Sequence, residues 1–295
     1  MRLGAFELSE PVPQLNGPHA LAVIQPWIDA SKAGSLVLSC LETYLGTTEL
    51  ARLARPGNFV DLTRYRPTLI MKENHNEIVV PNTTINYSRN TESHDFLFLR
   101  LLEPHMMAEV YVDSVVALLK TFGVKRYCLI GSMYDMVPYT RPLLVTGNAS
   151  NLALQNALAI TNIIPNYYEG PTTMLSLIEQ KAQQLGIETC SMIVHLPNYL
   201  TLDDDYRGEK RLMDIIASFY NIPMPQGDRE KANKQEAEVR RLAEQFLQQE
   251  PKYKAILEQL EASYDARINK EKPEVQLSPE IEKFLKGLNI RFKQD

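Results

Sequence analysis

Short apolar runs alternate with amphipathic stretches along the chain up to Tyr220. Apolar runs bounded by turn residues predict buried strands, and apolar residues spaced three and four apart predict helices. Because strands and helices alternate, the pattern predicts a largely parallel sheet with helices on both faces, an α/β/α sandwich. The strands are expected at residues 19–25, 59–62, 83–87, 96–101, 124–130, 143–147 and 187–194, and the helices at 33–45, 107–122, 172–186 and 211–220.

The composition changes beyond Pro225, where the chain becomes rich in Glu, Lys, Arg, Gln and Ala. Two apolar stripes at helical spacing follow, and Pro251 separates them. Because proline suits the first turn of a helix, the pattern predicts two antiparallel amphipathic helices. We therefore expect the sandwich domain over residues 1–225 and a helical extension over 226–295, with one more short helix at 279–288. The extension would pack on the body of its own chain or on a neighbouring subunit.

Charge and hydropathy argue against nucleic-acid and membrane partners. The formal net charge is −5 and is spread through the sequence, whereas a general nucleic-acid binder carries a basic patch or stripe. The longest apolar stretch, residues 152–164, is interrupted by polar residues and falls short of the roughly 20 apolar residues of a membrane span. No apolar N-terminal stretch is long enough for a signal peptide. We therefore expect a soluble, cytoplasmic protein.

Motifs that mark common catalytic and nucleotide sites are absent from the sequence. The chain has no P-loop, no Gly-x-Gly-x-x-Gly fingerprint and no Gly-x-Ser-x-Gly nucleophile motif. Its three cysteines lie apart in apolar segments, as expected of buried thiols in a reducing compartment, and its five histidines show no zinc spacing. We therefore predict no catalytic residue, no metal ion and no cofactor.

Turns that contain proline lie close to several of the predicted elements and carry the polar residues best suited to a site. In a parallel α/β sheet, ligand sites form in the loops at the carboxyl ends of the strands. Prolines in such loops would hold polar side chains at one edge of the sheet. The candidate ligand-binding rim consists of Glu103, Arg141, Gly170, Thr172, Thr173, His195 and Tyr199.

Two parts of this rim suit anion binding and proton transfer. Gly170 and the pair Thr172 and Thr173 precede a predicted helix, whose N-terminus favours negative charge, although Ser and Thr are also common helix caps. His195 follows an apolar strand, where it suits a general acid or base or a hydrogen-bonding residue at the strand end. The residues themselves leave both explanations open.

The remaining rim residues have the same ambiguity. Glu103 and Arg141 can form a charge-assisted pair across two turns, either to grip a substrate or as a structural ion pair. Tyr199 can stack or hydrogen-bond with a ligand in the same rim, and tyrosine serves protein interfaces equally well.

Taken in order, these turns resemble the proteasome assembly chaperone 2 family, in particular its bacterial members. The resemblance runs from about residue 19 to 265, and the helical segment 257–265 resembles the helical tail of the family. The motifs that carry it are Leu99-Arg100-Leu101-Leu102-Glu103-Pro104, Phe122-Gly123-Val124-Lys125-Arg126, Pro138-Tyr139-Thr140-Arg141-Pro142, Tyr168-Glu169-Gly170-Pro171 and His195-Leu196-Pro197-Asn198-Tyr199.

The resemblance implies a fold similar to that of purine nucleoside phosphorylases and assembly into homo-oligomers. Because eukaryotic and archaeal relatives help to assemble proteasomes, it implies a non-enzymatic assembly or scaffold protein with a protein complex as its partner. The alternative is an enzyme or binding protein for a small anionic ligand, a nucleoside or phosphate compound, at the strand-end loops.

Two departures from the family pattern change what is expected of this chain. The loop at 26–31 lacks the glycines that relatives typically carry around the tryptophan, so close backbone approach by a ligand is less plausible there. The sequence ends Phe292-Lys293-Gln294-Asp295, without the hydrophobic-Tyr-any tail by which some relatives dock on proteasomes. We therefore do not expect docking by that tail.

Overall fold

The computed structural model describes residues 1–72, 75–89, 94–222, 226–249, 253–269 and 290–291. The strands are β1 (Arg2–Leu3), β2 (Phe6–Leu8), β3 (His19–Gln25), β4 (Thr48–Leu53), β5 (Thr68–Lys72), β6 (His75–Val79), β7 (Thr84–Ser88), β8 (Phe96–Leu102), β9 (Arg126–Asp135), β10 (Val145–Gly147), β11 (Ile164–Pro165), β12 (Glu188–Pro197), β13 (Leu200–Thr201) and β14 (Ile290–Arg291). The helices are α1 (Ala33–Leu45), α2 (Ala108–Thr121), α3 (Leu152–Ile160), α4 (Met174–Gln184), α5 (Tyr206–Tyr220), α6 (Gln226–Gln249) and α7 (Tyr253–Ile268).

A mixed sheet forms the middle layer, with the strand order β1-β2-β4-β7-β8-β3-β9-β12-β10-β11. The four central strands β8, β3, β9 and β12 run parallel, whereas β7 pairs antiparallel with β8 and β10 pairs antiparallel with β12. The expectation of a largely parallel sheet is therefore wrong for its flanks. Loop length explains the direction of β7, because the short connection 89–95 can reverse the chain but is too short for a crossover between parallel strands.

Alternate residues of the central strands face opposite sides of the sheet and form two cores. In β3, Ala20, Ala22 and Ile24 belong to the core that includes α2 and α4, while Leu21 and Val23 belong to the core that includes α1 and α5. Burying a large aliphatic side chain stabilises the fold by about 1.5–3 kcal/mol, so a one-residue slip of this strand would be costly. The three cysteines are free and buried, as predicted.

Most predicted elements are found within a few residues of their expected bounds, but the strand at 59–62 is wrong. This segment forms turns after a short 3-10 helix at Pro56–Asn58. Phe59 and Val60 are buried all the same. A short apolar run shows that a segment is buried without showing its backbone conformation, which is why the prediction failed here.

The structure also contains strands that the hydrophobic pattern does not predict. β4 joins the main sheet, and its residues Leu50, Ala51 and Leu53 are buried there. β5 and β6 form a separate antiparallel hairpin.

The described helices of the C-terminal extension pack on the body of the same chain. In α6, the side chain of Gln235 accepts a hydrogen bond from the Tyr206 amide and donates one to the carbonyl of Asp204, both at 2.8 Å. The domain boundary stays a prediction, and the predicted helix at 279–288 lies outside the described residues. None of the described helices combines the length and apolar character that a membrane span needs.

Candidate functional site at the carboxyl ends of the central strands

The candidate rim is spread along the carboxyl ends of the central strands. Glu103 follows β8, the loop 26–31 follows β3, the loop 136–144 follows β9, and His195 lies near the end of β12. Two strands, β3 and β9, separate β8 from β12. Because neighbouring strands lie about 4.8 Å apart, Glu103 and His195 lie on strand ends separated by about 14 Å. The fold therefore does not bring these two residues into one compact cluster.

A series of hydrogen bonds connects the buried Thr146 and His195 to the partly exposed Asp135 and Arg267. Thr146 Oγ1 lies 2.8 Å from His195 Nε2, and His195 Nδ1 lies 2.7 Å from Asp135 Oδ2. Arg267 Nη1 donates to the same carboxylate oxygen at 2.8 Å. Burial by itself would raise the pKa of Asp135, but the hydrogen bond from His195 and the charge of Arg267 outweigh it and lower the pKa. Asp135 is therefore ionised and accepts a hydrogen bond from His195 Nδ1–H.

Thr146, His195 and Asp135 are connected in the order of a nucleophile, a base and an orienting acid. The hydroxyl and the imidazole, however, are not accessible to a substrate. Thr146 and His195 are only 6% and 5% exposed. A catalytic hydroxyl has to reach a substrate, and the carboxylate end of the chain is occupied by Arg267 from α7. The arrangement therefore acts as a structural connection between three strands and the C-terminal extension.

Arg141 also holds the C-terminal extension in place. Its Nε and Nη2 donate to the two carboxylate oxygens of Asp265 at 3.0 and 2.9 Å, and Nη1 lies 3.3 Å from Glu261 Oε1. The hydroxyl of Thr140 donates to the same Glu261 oxygen. The hydrogen bond from Arg141 lowers the pKa of the exposed Asp265 carboxyl. Arg141 thus pairs with α7 and not with Glu103, which corrects the pairing expected from the two turns.

Glu103 lies in a local network at the end of β8. Its amide donates to the carbonyl of Gln25 at 3.0 Å, and the Tyr65 hydroxyl donates to that same carbonyl at 2.9 Å. Burial raises the pKa of the Glu103 carboxyl, and the charge of His105 opposes this shift. The backbone of Glu103 therefore ties the end of β8 to the end of β3.

The segment before α4 forms a capped helix start, as predicted. Thr173 is the N-cap, and its Oγ1 accepts from the Leu175 amide at 3.2 Å. The hydroxyls of Thr172 and Ser176 lie 2.5 Å apart. Gly170 lies against an aromatic ring, since a Cβ at this position would be 2.6 Å from the hydroxyl oxygen of Tyr168. Anion binding at these amides stays a prediction.

Tyr199 holds the loop that follows β9. Its hydroxyl donates to the carbonyl of Val137 at 3.0 Å and accepts from the amide of Tyr139 at 2.8 Å. The residue is 9% exposed, and burial, the largest influence, raises the pKa of its hydroxyl. The Tyr199 hydroxyl therefore both donates and accepts a hydrogen bond within the chain, and it stabilises the loop.

A buried carboxylate fixes the loop that follows β3. Asp29 Oδ1 accepts from the Ser35 amide at 3.0 Å, and Asp29 Oδ2 accepts from Ser35 Oγ at 2.5 Å, at the start of α1. Burial raises the pKa of Asp29 despite these bonds. Ser31 and Lys32 adopt left-handed φ values of 46° and 55°, which are uncommon for residues with a Cβ. Ser31 Oγ donates to the carbonyl of Leu202 at 2.6 Å and helps to hold this conformation.

Large side chains are exposed in this loop and at the neighbouring end of β9. Trp27 is 65% exposed, and Met133 and Tyr134 at the end of β9 are 43% and 39% exposed. The two segments run side by side, because the Ser132 amide donates to the carbonyl of Ile28 at 3.1 Å. We call Trp27, Met133 and Tyr134, which are exposed at the ends of β3 and β9, the rim patch. Met133 and Tyr134 are consecutive in β9 and therefore point to opposite faces of the sheet.

The sequence prediction does not include Asp135, Thr146, Arg267 or the rim patch. A usable signal exists for α7, where Glu261 and Asp265 are spaced four apart and so share one face of a predicted helix. An acidic pair on a helix that also carries an apolar stripe indicates a basic partner at the contact. The sequence does not indicate that this partner is Arg141.

Comparison with known proteins identifies the family of the chain. The profile of the PAC2 family matches residues 23–243, which is most of the sequence. The chain belongs to the PAC2 family. A PAC2 family protein from Streptomyces avermitilis is similar in structure, with 22% sequence identity, coverage of 77% of this chain and 96% of that chain, and a TM-score of 0.70. The family expected from the proline turns is thereby confirmed.

Other solved structures extend the comparison. A Mycobacterium tuberculosis protein of unknown function has 25% identity, coverage of 92% of each chain and a TM-score of 0.75. The proteasome-assembly chaperone homologue from the same organism has 20% identity, coverage of 75% of this chain and 94% of its own, and a TM-score of 0.67. No curated protein sequence matches the chain significantly.

The matched range of the PAC2 profile ends within α6. It contains Glu103, Arg141 and His195, but not Asp265 and Arg267 of α7. The groups of the C-terminal extension that bind Arg141 and Asp135 therefore lie outside the part of the chain that the profile describes.

Proposed function

We propose that this PAC2 family chain is a non-enzymatic assembly or scaffold protein that acts as a homo-oligomer and binds a protein complex. The observation that carries the proposal is a contrast between the polar residues of the candidate rim and the exposed residues of the rim patch. Arg141, His195 and Tyr199 use their polar groups in bonds within the chain, whereas the rim patch exposes large apolar side chains.

The rim patch has the chemistry of a protein contact. Trp, Tyr and Met are enriched in protein interfaces. Its tryptophan lies two residues before Asp29, in a loop held by buried hydrogen bonds. A partner that binds this loop would need little further ordering of the backbone, which favours affinity.

The relatives support a protein complex as the partner. One structural relative is a proteasome-assembly chaperone homologue. We extend that class of partner to this chain and expect a multisubunit ring complex of the proteasome type. Similarity of the sheet to that of purine nucleoside phosphorylases stays a prediction and carries no role in this proposal.

Binding to purified proteasome core particles tests the partner and the patch together. We expect Trp27→Ala to weaken the binding of the full chain by roughly 30-fold, the effect of losing an interface residue worth about 2 kcal/mol. Tyr167→Ala is the matched control, because Tyr167 is an 85% exposed aromatic residue outside the rim patch. Failure of the unmodified chain to bind would contradict the partner, and equal binding by both variants would contradict the patch.

A thermal-shift series with nucleosides, nucleotides and inorganic phosphate tests the non-enzymatic part. We expect no saturable rise in Tm. A ligand that binds only the folded state adds about 2.7 kcal/mol of stability when present at 100 times its Kd, so a real ligand would be evident. A saturable rise with one compound would contradict the proposal and favour the small-anion alternative at residues 170–173.

A further inference from the structure

The hairpin formed by β5 and β6 has one apolar face. The strands pair in a register that places Leu69 opposite Ile78 and Met71 opposite Asn76. Because alternate residues of a strand point to opposite faces, Leu69, Met71 and Ile78 share one face with Asn76. The opposite face carries the charged residues of the two strands. Its members are Thr68, Ile70, Lys72, His75, Glu77 and Val79.

No segment among the residues that the structure describes covers this apolar face. Leu69, Met71 and Ile78 are 61%, 84% and 66% exposed, and Val80, which continues the same alternation, is 40% exposed. A two-stranded hairpin is at best marginally stable in water unless a hydrophobic face packs against something. We call these four apolar residues the hairpin face.

We propose that the hairpin face is a contact between two copies of this chain. The proposal rests on the homo-oligomer of the proposed function and gives that oligomer a location. A twofold contact brings the same surface of each copy together, so that surface has to be complementary to itself. The hairpin face has no charged residue, and the charges of Lys72 and Glu77 on the opposite face pair with one another. The face is therefore electrostatically suited to contact its own copy.

The size of the hairpin face fits a small, specific dimer. Its four apolar side chains expose roughly 450 Å² per copy, so mutual burial would remove about 900 Å² of apolar surface. Specific interfaces bury about 1,200–2,000 Å², of which about 65% is apolar in homodimers, so the hairpin face would supply the apolar part of an interface near the lower end of this range.

Sedimentation equilibrium of the full chain tests this contact. We expect the unmodified chain to self-associate and Met71→Glu to weaken the association roughly 100-fold or more, because like charges placed across an interface cost several kcal/mol. Thr68→Glu is the matched control, since Thr68 is exposed on the opposite face of the same strand and its substitution should leave the mass unchanged. Equal far-UV circular dichroism and thermal midpoints would show that the variants are folded.

Mixing charge variants makes the test specific for self-contact. An equimolar mixture of Met71→Glu and Met71→Lys should recover association that neither variant shows alone, because opposite charges then meet across the contact. An associating chain whose mass is unchanged by Met71→Glu would overturn the hairpin contact and leave the proposed homo-oligomer standing. A monomeric unmodified chain would overturn both. Dissociation by Met71→Glu together with saturable binding of a small anion would support the contact and overturn the non-enzymatic function.

Discussion

Two histidines, the buried His195 and the partly exposed His19, differ in the groups that surround the imidazole ring. His195 lies between strands and faces the carboxylate of Asp135 at 2.7 Å. His19 instead stacks on His94, with ring centroids 3.8 Å apart, and has Arg126 nearby. Burial, followed by the charges of His94 and Arg126, lowers the pKa of His19 to about 3. The folded protein therefore keeps His19 neutral well below neutral pH.

This difference predicts how stability depends on pH. In the unfolded chain His19 titrates near its ordinary pKa of 6.5, so between pH 6.5 and about 3 the unfolded state binds a proton that the folded state does not. The contribution of His19 to stability is fully present above pH 6.5 and is lost as the pH falls. A single group of this kind changes the free energy of unfolding by about 1.4 kcal/mol per pH unit. Urea unfolding between neutral and acid pH measures the effect.

The comparison uses His19→Phe, which keeps an aromatic ring but removes the titration. We expect the free energy of unfolding of the unmodified chain to fall more steeply toward acid pH than that of the variant. His75→Phe on the exposed hairpin serves as the control and should keep the steep slope. Parallel pH profiles for the unmodified chain and His19→Phe would contradict the prediction.

At the scale of elements, α7 links the extension to the strand ends. Leu260 and Tyr264 are buried on the body side of this helix. Arg267 and its partner Asp135 have side chains that are 29% and 23% exposed, whereas those of Arg141 and Asp265 are 34% and 49% exposed. Exposed ion pairs contribute about 0–1 kcal/mol, but removal of one partner of a buried pair leaves an uncompensated charge and costs more. We therefore expect Arg267 to be the stronger polar anchor of α7.

Hydrogen exchange measures the strength of this anchor. We expect Arg267→Met to raise the exchange rates of the α7 amides by roughly tenfold or more, since each 1.4 kcal/mol lost from local stability gives a factor of ten. Arg240→Met is the control, because Arg240 lies in α6 and makes an exposed pair with Glu236 four residues before it. If both variants exchange at the rate of the unmodified chain, Arg267 does not anchor the helix.

At the scale of the whole molecule, the body and the extension share a small core. Tyr199 and Leu200 follow β12 at the sheet edge, and they cluster with Val239 of α6 and Leu260 of α7. The same helix pair carries the partner of Asp135. The described part of the extension is thus a component of the sandwich and not a loose appendage.

Removal of the extension tests this integration. A chain that ends at residue 225 exposes Tyr199 and Leu200, which costs about 1.5–3 kcal/mol for each large buried side chain, and leaves the partly exposed Asp135 without its arginine. For a chain of this size we expect a Tm lower by roughly 10 °C and increased binding of a hydrophobic dye. Calorimetry of the two forms measures the change. An unchanged Tm would show that residues 1–225 form an independent domain.

The sequence prediction succeeds where the signal is local. The bounds of α1 follow from apolar spacing and from Gly46 just after its end, and the cap at Thr173 follows from its own hydroxyl and the next turn of the helix. The prediction fails at 59–62, where an apolar run is buried without being a strand. It also fails for Arg141, because the carboxylate that binds it lies 124 residues away.

By itself, the sequence determines the alternation of strands and helices, the helical extension and the family, because these depend on short-range spacing and on ordered local motifs. The tertiary structure alone decides which strands of the flanks run antiparallel, that α7 covers Asp135, and that the hairpin face and the rim patch remain exposed. Each of these depends on contacts between segments far apart in the chain. Local periodicity shows that a face is apolar, but only the fold shows whether another part of the same chain covers it.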